Sequence, residues 1–290
     1  MRMDQLAGIP SWEWPSDADS QILAVLENGK APAAERFLAA ELAEDVSVMN
    51  EEVATALLGI FRSEDEPAVL RGRSAIAFGA ALEEAEMEGF DDPEYTTLTE
   101  ALFRQIQGAL RDIYQDPAVP KEVRRRALEA SIRAPEPWHA GAVRAAYHDG
   151  DPDWKRTAVF CMRFIHGFQE EIMDALEADD PTVLREGILA AGNWEISDAW
   201  PVVDHLILVA GQEDELVPGD PDAGRELLLA AIHAAAMIRP QEAYELLGEL
   251  GHVAVELVVG DHLADEADLV GVLGVDAVAE EHQPSGHLVA

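Results

Sequence analysis

Apolar residues along this chain recur at helical, not strand, spacing. Ala158, Cys161, Met162 and Ile165 fall at i, i+3, i+4 and i+7. Leu184, Ile188 and Ala191 share a face in the next segment. After Asp220, the residues Ala223, Leu227, Ala230, Ala231 and Ala234 form a long stripe of mostly small side chains. Such stripes are the mark of amphipathic helices packed on one side, and small residues let neighbouring helices approach closely. Between Asp151 and Asp180 the pattern predicts a second helix over Phe168 to Ala178, with Phe168, Ile172 and Leu176 inward. Between Asp180 and Asp220 it predicts one over Ser197 to Ala210, with Trp200, Val203 and Ile207 on one face.

A start signal precedes these helices. Seven acidic residues stand directly before proline, and in five cases a basic residue follows four positions after that proline. The five are Glu66-Pro67 with Arg71, Asp116-Pro117 with Lys121, Asp151-Pro152 with Arg156, Asp180-Pro181 with Arg185, and Asp220-Pro221 with Arg225. An acidic side chain at a helix entrance accepts the free N–H groups of the first turn and sits at the positive end of the dipole. Proline in the first turn loses no hydrogen bond and presets φ. The starts are 50, 35, 29 and 40 residues apart. Each interval is long enough for two helices and short turns, the period of a stacked helical repeat. The longest interval holds a longer acidic helix and the loop 88–94, and so carries an insertion.

At this point a family resemblance enters. The stretch Asp179-Asp180-Pro181-Thr182-Val183-Leu184-Arg185-Glu186-Gly187-Ile188-Leu189-Ala190-Ala191-Gly192 resembles one HEAT repeat joined to the next, in the short bacterial form named from phycobilin lyases. The pattern runs from about Ala34 to Gly251. The resemblance implies an all-α, right-handed α-solenoid of antiparallel helix pairs. It also implies a structural ladder along the stack, with Asp151, Asp180 and Asp220 matched to Arg156, Arg185 and Arg225. Three regions follow: an N-terminal arm or cap over 1–33, a solenoid over 34–260, and an acidic C-terminal cap or tail over 261–290.

Charge narrows the function classes. Asp and Glu number 57 against 20 Lys and Arg, a formal net charge of -37, and Lys30, Lys121 and Lys155 are the only lysines. A surface this acidic repels phosphate backbones and anionic membranes, so direct nucleic-acid or membrane binding is not expected. The acidity fits life at high salt, a basic partner, or mimicry of a nucleic acid. No apolar stretch reaches the roughly 20 residues of a membrane span. Residues 1–10 have no signal-peptide core. With one cysteine, Cys161, the expected location is the cytoplasm.

Candidate chemistry is sparse. Asp149, Asp151 and Asp153 alternate like the opening of a calcium loop, but Trp154 and Phe160 stand where glycine and glutamate are needed. The expectation is a helix cap and no metal. Trp138, His139, His148, Trp154 and Trp194 are candidate binding residues that could line one surface. Arg124-Arg125-Arg126 is the one basic run, suited to an acidic peptide, a phosphate or a solvated helix face. No nucleophile order or phosphate loop is present, and neither a cofactor nor a catalytic residue is expected. The leading expectation is a non-catalytic scaffold or adaptor that binds a protein or peptide, basic if the acidity serves recognition. An enzyme of lyase or glycosylase type on the same fold, and an acidic nucleic-acid mimic, are the rivals.

Overall fold

The computed structural model describes residues 2–90, 97–210, 216–239 and 241–243. It is all-α: helix accounts for 69% of the described residues, against about a third in an average domain, and no strand occurs among them. The helices are α1 (Met3–Ala7), α2 (Ala18–Glu27), α3 (Ala33–Leu42), α4 (Glu51–Arg62), α5 (Ala68–Ile76), α6 (Gly79–Glu88), α7 (Glu100–Gln115), α8 (Lys121–Ser131), α9 (His139–Tyr147), α10 (Pro152–Cys161), α11 (Gln169–Ala175), α12 (Pro181–Asn193), α13 (Trp200–Ala210) and α14 (Pro221–Ile238). Short 3-10 turns cover Ser11–Glu13 and Ser197–Ala199. The expected Phe168 to Ala178 helix is therefore shorter, and the Ser197 to Ala210 helix opens with a tighter turn.

The chain forms two compact units, Met1–Ala190 and Ala191–Ala290. In the first, helices pack in two rows. Helices α2, α4 and α7 contact one another in sequence, and so do α3, α5, α8 and α10. The rows are joined by the contacts α2 with α3, α4 with α5, α7 with α8, and α9 with α10. The core between them is largely apolar, with Phe61, Phe78, Phe103, Leu57, Leu82 and Ile106 fully buried. Met3 and Leu6 of the predicted arm, with Ile22 and Leu26, belong to this same core. Ala158, Cys161, Met162, Phe168 and Ile172 are buried, but α10 ends at Cys161, so Ile165 falls in the turn beyond it and is half-buried. In the second unit, α13 packs on α14. There a Cβ on Gly192 would lie 2.9 Å from the Ala234 Cα, so glycine is what permits that approach. The predicted cap over 261–290 lies outside the described residues.

Two kinds of helix entrance appear. At α10, α12 and α14 the acid caps as its position implies. Asp151 Oδ1 accepts from the Asp153 N–H at 2.9 Å. Asp180 Oδ1 accepts from Thr182 at 2.9 Å and Val183 at 3.3 Å. Asp220 Oδ1 accepts from Ala223 at 3.0 Å. At α3, α5 and α8 a proline itself, Pro32, Pro67 or Pro120, occupies the cap position with no side-chain bond. Asp116-Pro117 opens no helix. Asp116 ends α7 and holds a turn by accepting from the Ala118 N–H at 2.8 Å, and the second proline three residues on defers the helix to Lys121. An Asx turn satisfies the same carboxylate as a helix cap, which is why the two look alike in sequence.

Candidate functional site

Three basic residues near the starts of second-row helices reach forward to an acid that stands before a later proline, while Arg71 of α5 turns back to the Phe61 carbonyl at 3.0 Å. Arg36 makes a two-pronged pair with Glu66, both bonds 2.7 Å. Lys121 Nζ sits 2.8 Å from Asp151 and from Asp153. Arg156 donates to Asp180 at 2.6 Å and 3.0 Å. Arg156 thus joins Asp180, which also caps α12. Hydrogen bonds from Lys121 are the main reason that the Asp151 and Asp153 carboxyls are held below their usual range, and that Lys121 is raised. Lys121 therefore occupies the space between two of the alternating aspartates that resemble a calcium loop. Among the described residues no group of three or more His, Cys, Asp or Glu side chains is placed to hold a metal.

Replacing Asp180 with alanine is expected to lower stability by about 1–2 kcal/mol. Most of this comes from two uncapped N–H groups, with a smaller part from the half-exposed pair with Arg156. An unchanged urea midpoint would show that Asp180 caps nothing.

The five candidate binding residues separate. Trp138, His139 and Trp154 gather with Tyr114 and Arg124. The Trp138 and His139 rings stack at 3.8 Å, and Tyr114 lies 5.3 Å from Trp138 and 6.1 Å from Trp154. Arg124 lies over the Tyr114 and Trp154 rings and donates to the Tyr114 carbonyl at 2.8 Å. His139 and Trp154 are buried, so they pack this cluster together. His148 is exposed beside Tyr147. Trp194 is half-buried and belongs to the second unit.

A concavity of the first unit lies elsewhere. It is a groove of about 690 Å³ along the second-row helices and α12. Helix α5 contributes Val69, Gly72, Arg73 and Ile76, spaced i, i+3, i+4 and i+7. Helix α8 presents Glu122, Arg125, Arg126 and Glu129, with Arg133 one turn on. Helix α10 adds Asp153, Arg156 and Phe160, and α12 adds Thr182 and Glu186. Phe37 and Glu44 close one end. None of the five candidate residues lines it.

Its floor is a polar network. Thr157, fully buried on α10, donates to Glu129 Oε1 at 2.6 Å and accepts from Arg125 Nε at 2.9 Å. Glu129 also accepts from Arg126 at 2.7 Å. Burial opposes the charge on Arg126, but Glu129 and Glu122 outweigh it and raise its pKa. Glu186 is held by Arg163 at 3.1 Å and Arg185 at 2.6 Å. Cys161 lies fully buried, and burial pushes its thiol well above the ordinary range, so it is no nucleophile.

The run Arg124-Arg125-Arg126 is not one patch. Successive helical residues point about 100° apart. Arg124 therefore meets the aromatic cluster, Arg125 the groove floor, and Arg126 the Glu122 and Glu129 carboxylates. Sequence reasoning missed Glu129, Thr157 and Arg133. The one available signal was charge at every helical i, i+3, i+4 and i+7 position of α8, where a core helix would be apolar on one face.

No helix among the described residues is long and apolar enough to cross a membrane. No known protein-family model matches the chain, and no curated protein matches it.

Proposed function

We propose that this chain is a HEAT-like helical-repeat solenoid that serves as a non-catalytic scaffold, binding a protein or peptide in the groove over α3, α5, α8, α10 and α12. The observation that carries this reading is the groove's position. It runs along the row of second helices, in the first unit, where the forward ion pairs also lie. The two-row packing supports the repeat, since each pair buries its apolar face against the next. Charged and apolar side chains alternate along the groove, with Val69 62% exposed at its lip. Extended surfaces of this kind suit chain-like ligands.

The test is site-specific photo-crosslinking in the native cell. A photo-reactive side chain at Val69 is expected to capture a discrete protein or peptide. One at Met87, even more exposed but outside the groove, is expected not to. Identical products from both positions, or none from Val69, would overturn the reading.

A further inference from the structure

The groove's charge balance differs from that of the rest of the chain. Arg73, Arg125, Arg126, Arg133 and Arg156 face five carboxylates there, Glu44, Glu122, Glu129, Asp153 and Glu186. Over the whole chain acids outnumber bases 57 to 20. Cations are therefore enriched in the groove relative to the chain as a whole, and its lining is balanced where the chain is strongly acidic.

Two of these arginines hold donors in reserve. A guanidinium carries five N–H donors. Arg73 uses Nη2 for the Glu44 carboxylate at 2.6 Å and the Glu41 carbonyl at 3.4 Å. Its Nε is buried without an acceptor, and its Nη1 makes no hydrogen bond with the described residues, so Nη1 carries the donors left for a ligand. A buried N–H left unsatisfied is costly, the more so on a charged group. Arg133 donates from Nη1 to Glu83 at 2.6 Å, and no other hydrogen bond joins it to the described residues. Its stem lies over Gly79, where a Cβ would meet Nε at 3.5 Å, and its plane covers Phe164 at 4.8 Å. Arg133 is thus fixed in place with an open edge. Beside these donors the groove offers apolar contacts from Phe37, Val69, Ile76 and Phe160.

Resting on the docking role above, we propose that the groove reads a carboxylate-bearing peptide: Asp or Glu side chains taken by the forks of Arg73 and Arg133, with neighbouring apolar side chains laid on Val69 and Ile76. A carboxylate matches the guanidinium fork in shape and charge. The chain's overall charge of -37 does not forbid this. At physiological ionic strength its field decays over about 8 Å, so the groove's own balance governs contact. The distant charge acts on the rate instead, and salt should speed the approach of an acidic peptide while slowing that of a basic one.

The experiment uses the full chain and three labelled short peptides that alternate leucine with glutamate, glutamine or lysine, followed by fluorescence anisotropy. The glutamate peptide is expected to bind at least about tenfold tighter than the glutamine one, the scale of one hydrogen bond to a charged group. Its association should quicken as salt rises to the physiological level. Arg73→Gln and Arg133→Gln should each weaken it by about tenfold and leave the glutamine peptide's affinity unchanged. Val69→Glu, at an exposed lip position that disturbs no ion pair, gives the same loss by repulsion and serves if an arginine variant misfolds. Tightest binding of the lysine peptide, abolished by Glu44→Gln, would overturn the carboxylate reading while the docking groove stands. Failure of all three peptides to respond to any groove substitution would overturn the docking role as well.

Discussion

Glu129→Ala is expected to destabilise the protein by about 3 kcal/mol or more, the largest effect of any single charge removal in the first unit. The Glu129 side chain is 8% exposed and lies beside Arg125, which is 9% exposed. It accepts from Thr157 at 2.6 Å and Arg126 at 2.7 Å. Removing it strands the buried Thr157 hydroxyl and leaves Arg125 and Arg126 with only one of the two carboxylates they share. Breaking one partner out of a buried pair costs about 3–5 kcal/mol, because the remaining charge has no water to turn to. Arg125 and Arg126 keep Glu122, at 3.2 Å and 2.9 Å, which limits the loss to the lower end of that range. The comparison is Glu100→Ala, whose pair with Arg104 spans 4.0 Å between side chains more than 60% exposed. That change should cost no more than about 0.5 kcal/mol. Denaturant melts of both variants decide the matter. Equal midpoints would mean that water reaches the groove floor and that the network is not a buried one.

What the sequence conveyed and what it withheld divide along the same line. Helices and their acidic entrances are local. The carboxylates of Asp151, Asp180 and Asp220 need only reach two or three residues along the chain to cap. Their spacing to proline therefore carried the information whole. Asp116 shows the limit, since an identical local pattern closes a turn when another proline follows. The groove is different in kind. Glu129 and Thr157 are 28 residues apart, Arg125 and Thr157 are 32 apart, and Arg133 and Glu83 are 50 apart. Only stacking of successive helices brings them together, and the charge pattern of one helix does not say which neighbour it will meet. The tryptophans show the complementary limit. Bulky aromatics attract attention in a sequence poor in them, yet Trp154 fills space beside Tyr114, and the surface with open chemistry is lined by arginine.

His139 gives the second large effect, and it is a dependence on pH. The ring is buried, and its hydrogen bonds fit one neutral tautomer. The Glu136 N–H donates to Nδ1 at 2.8 Å, which leaves Nε2 to donate to Ser131 Oγ at 2.9 Å. Ser131 in turn donates to the Leu128 carbonyl at 3.2 Å. Burial is the main cause that lowers the pKa from 6.5 to about 4, and the nearby Glu136 offsets only part of it. In the unfolded chain the imidazole takes a proton as pH falls below 6.5, whereas in the folded chain it resists until about 4. The unfolded state therefore binds more protons in that window, and stability contributed by neutral His139 is present above 6.5 and lost as pH falls toward 4. The loss amounts to about 3 kcal/mol in full, at roughly 1.4 kcal/mol per pH unit. Protonation of the many carboxylates acts over part of the same range, so the clean measurement is a difference. Stability of the native chain and of His139→Gln should run parallel above pH 6.5. Below it the native chain should lose more, with the two curves parallel again below pH 4. If instead the difference stays constant from pH 7 to 4, His139 is protonated as easily inside the protein as in water. The packed cluster of Trp138, His139 and Ser131 would then be open to solvent.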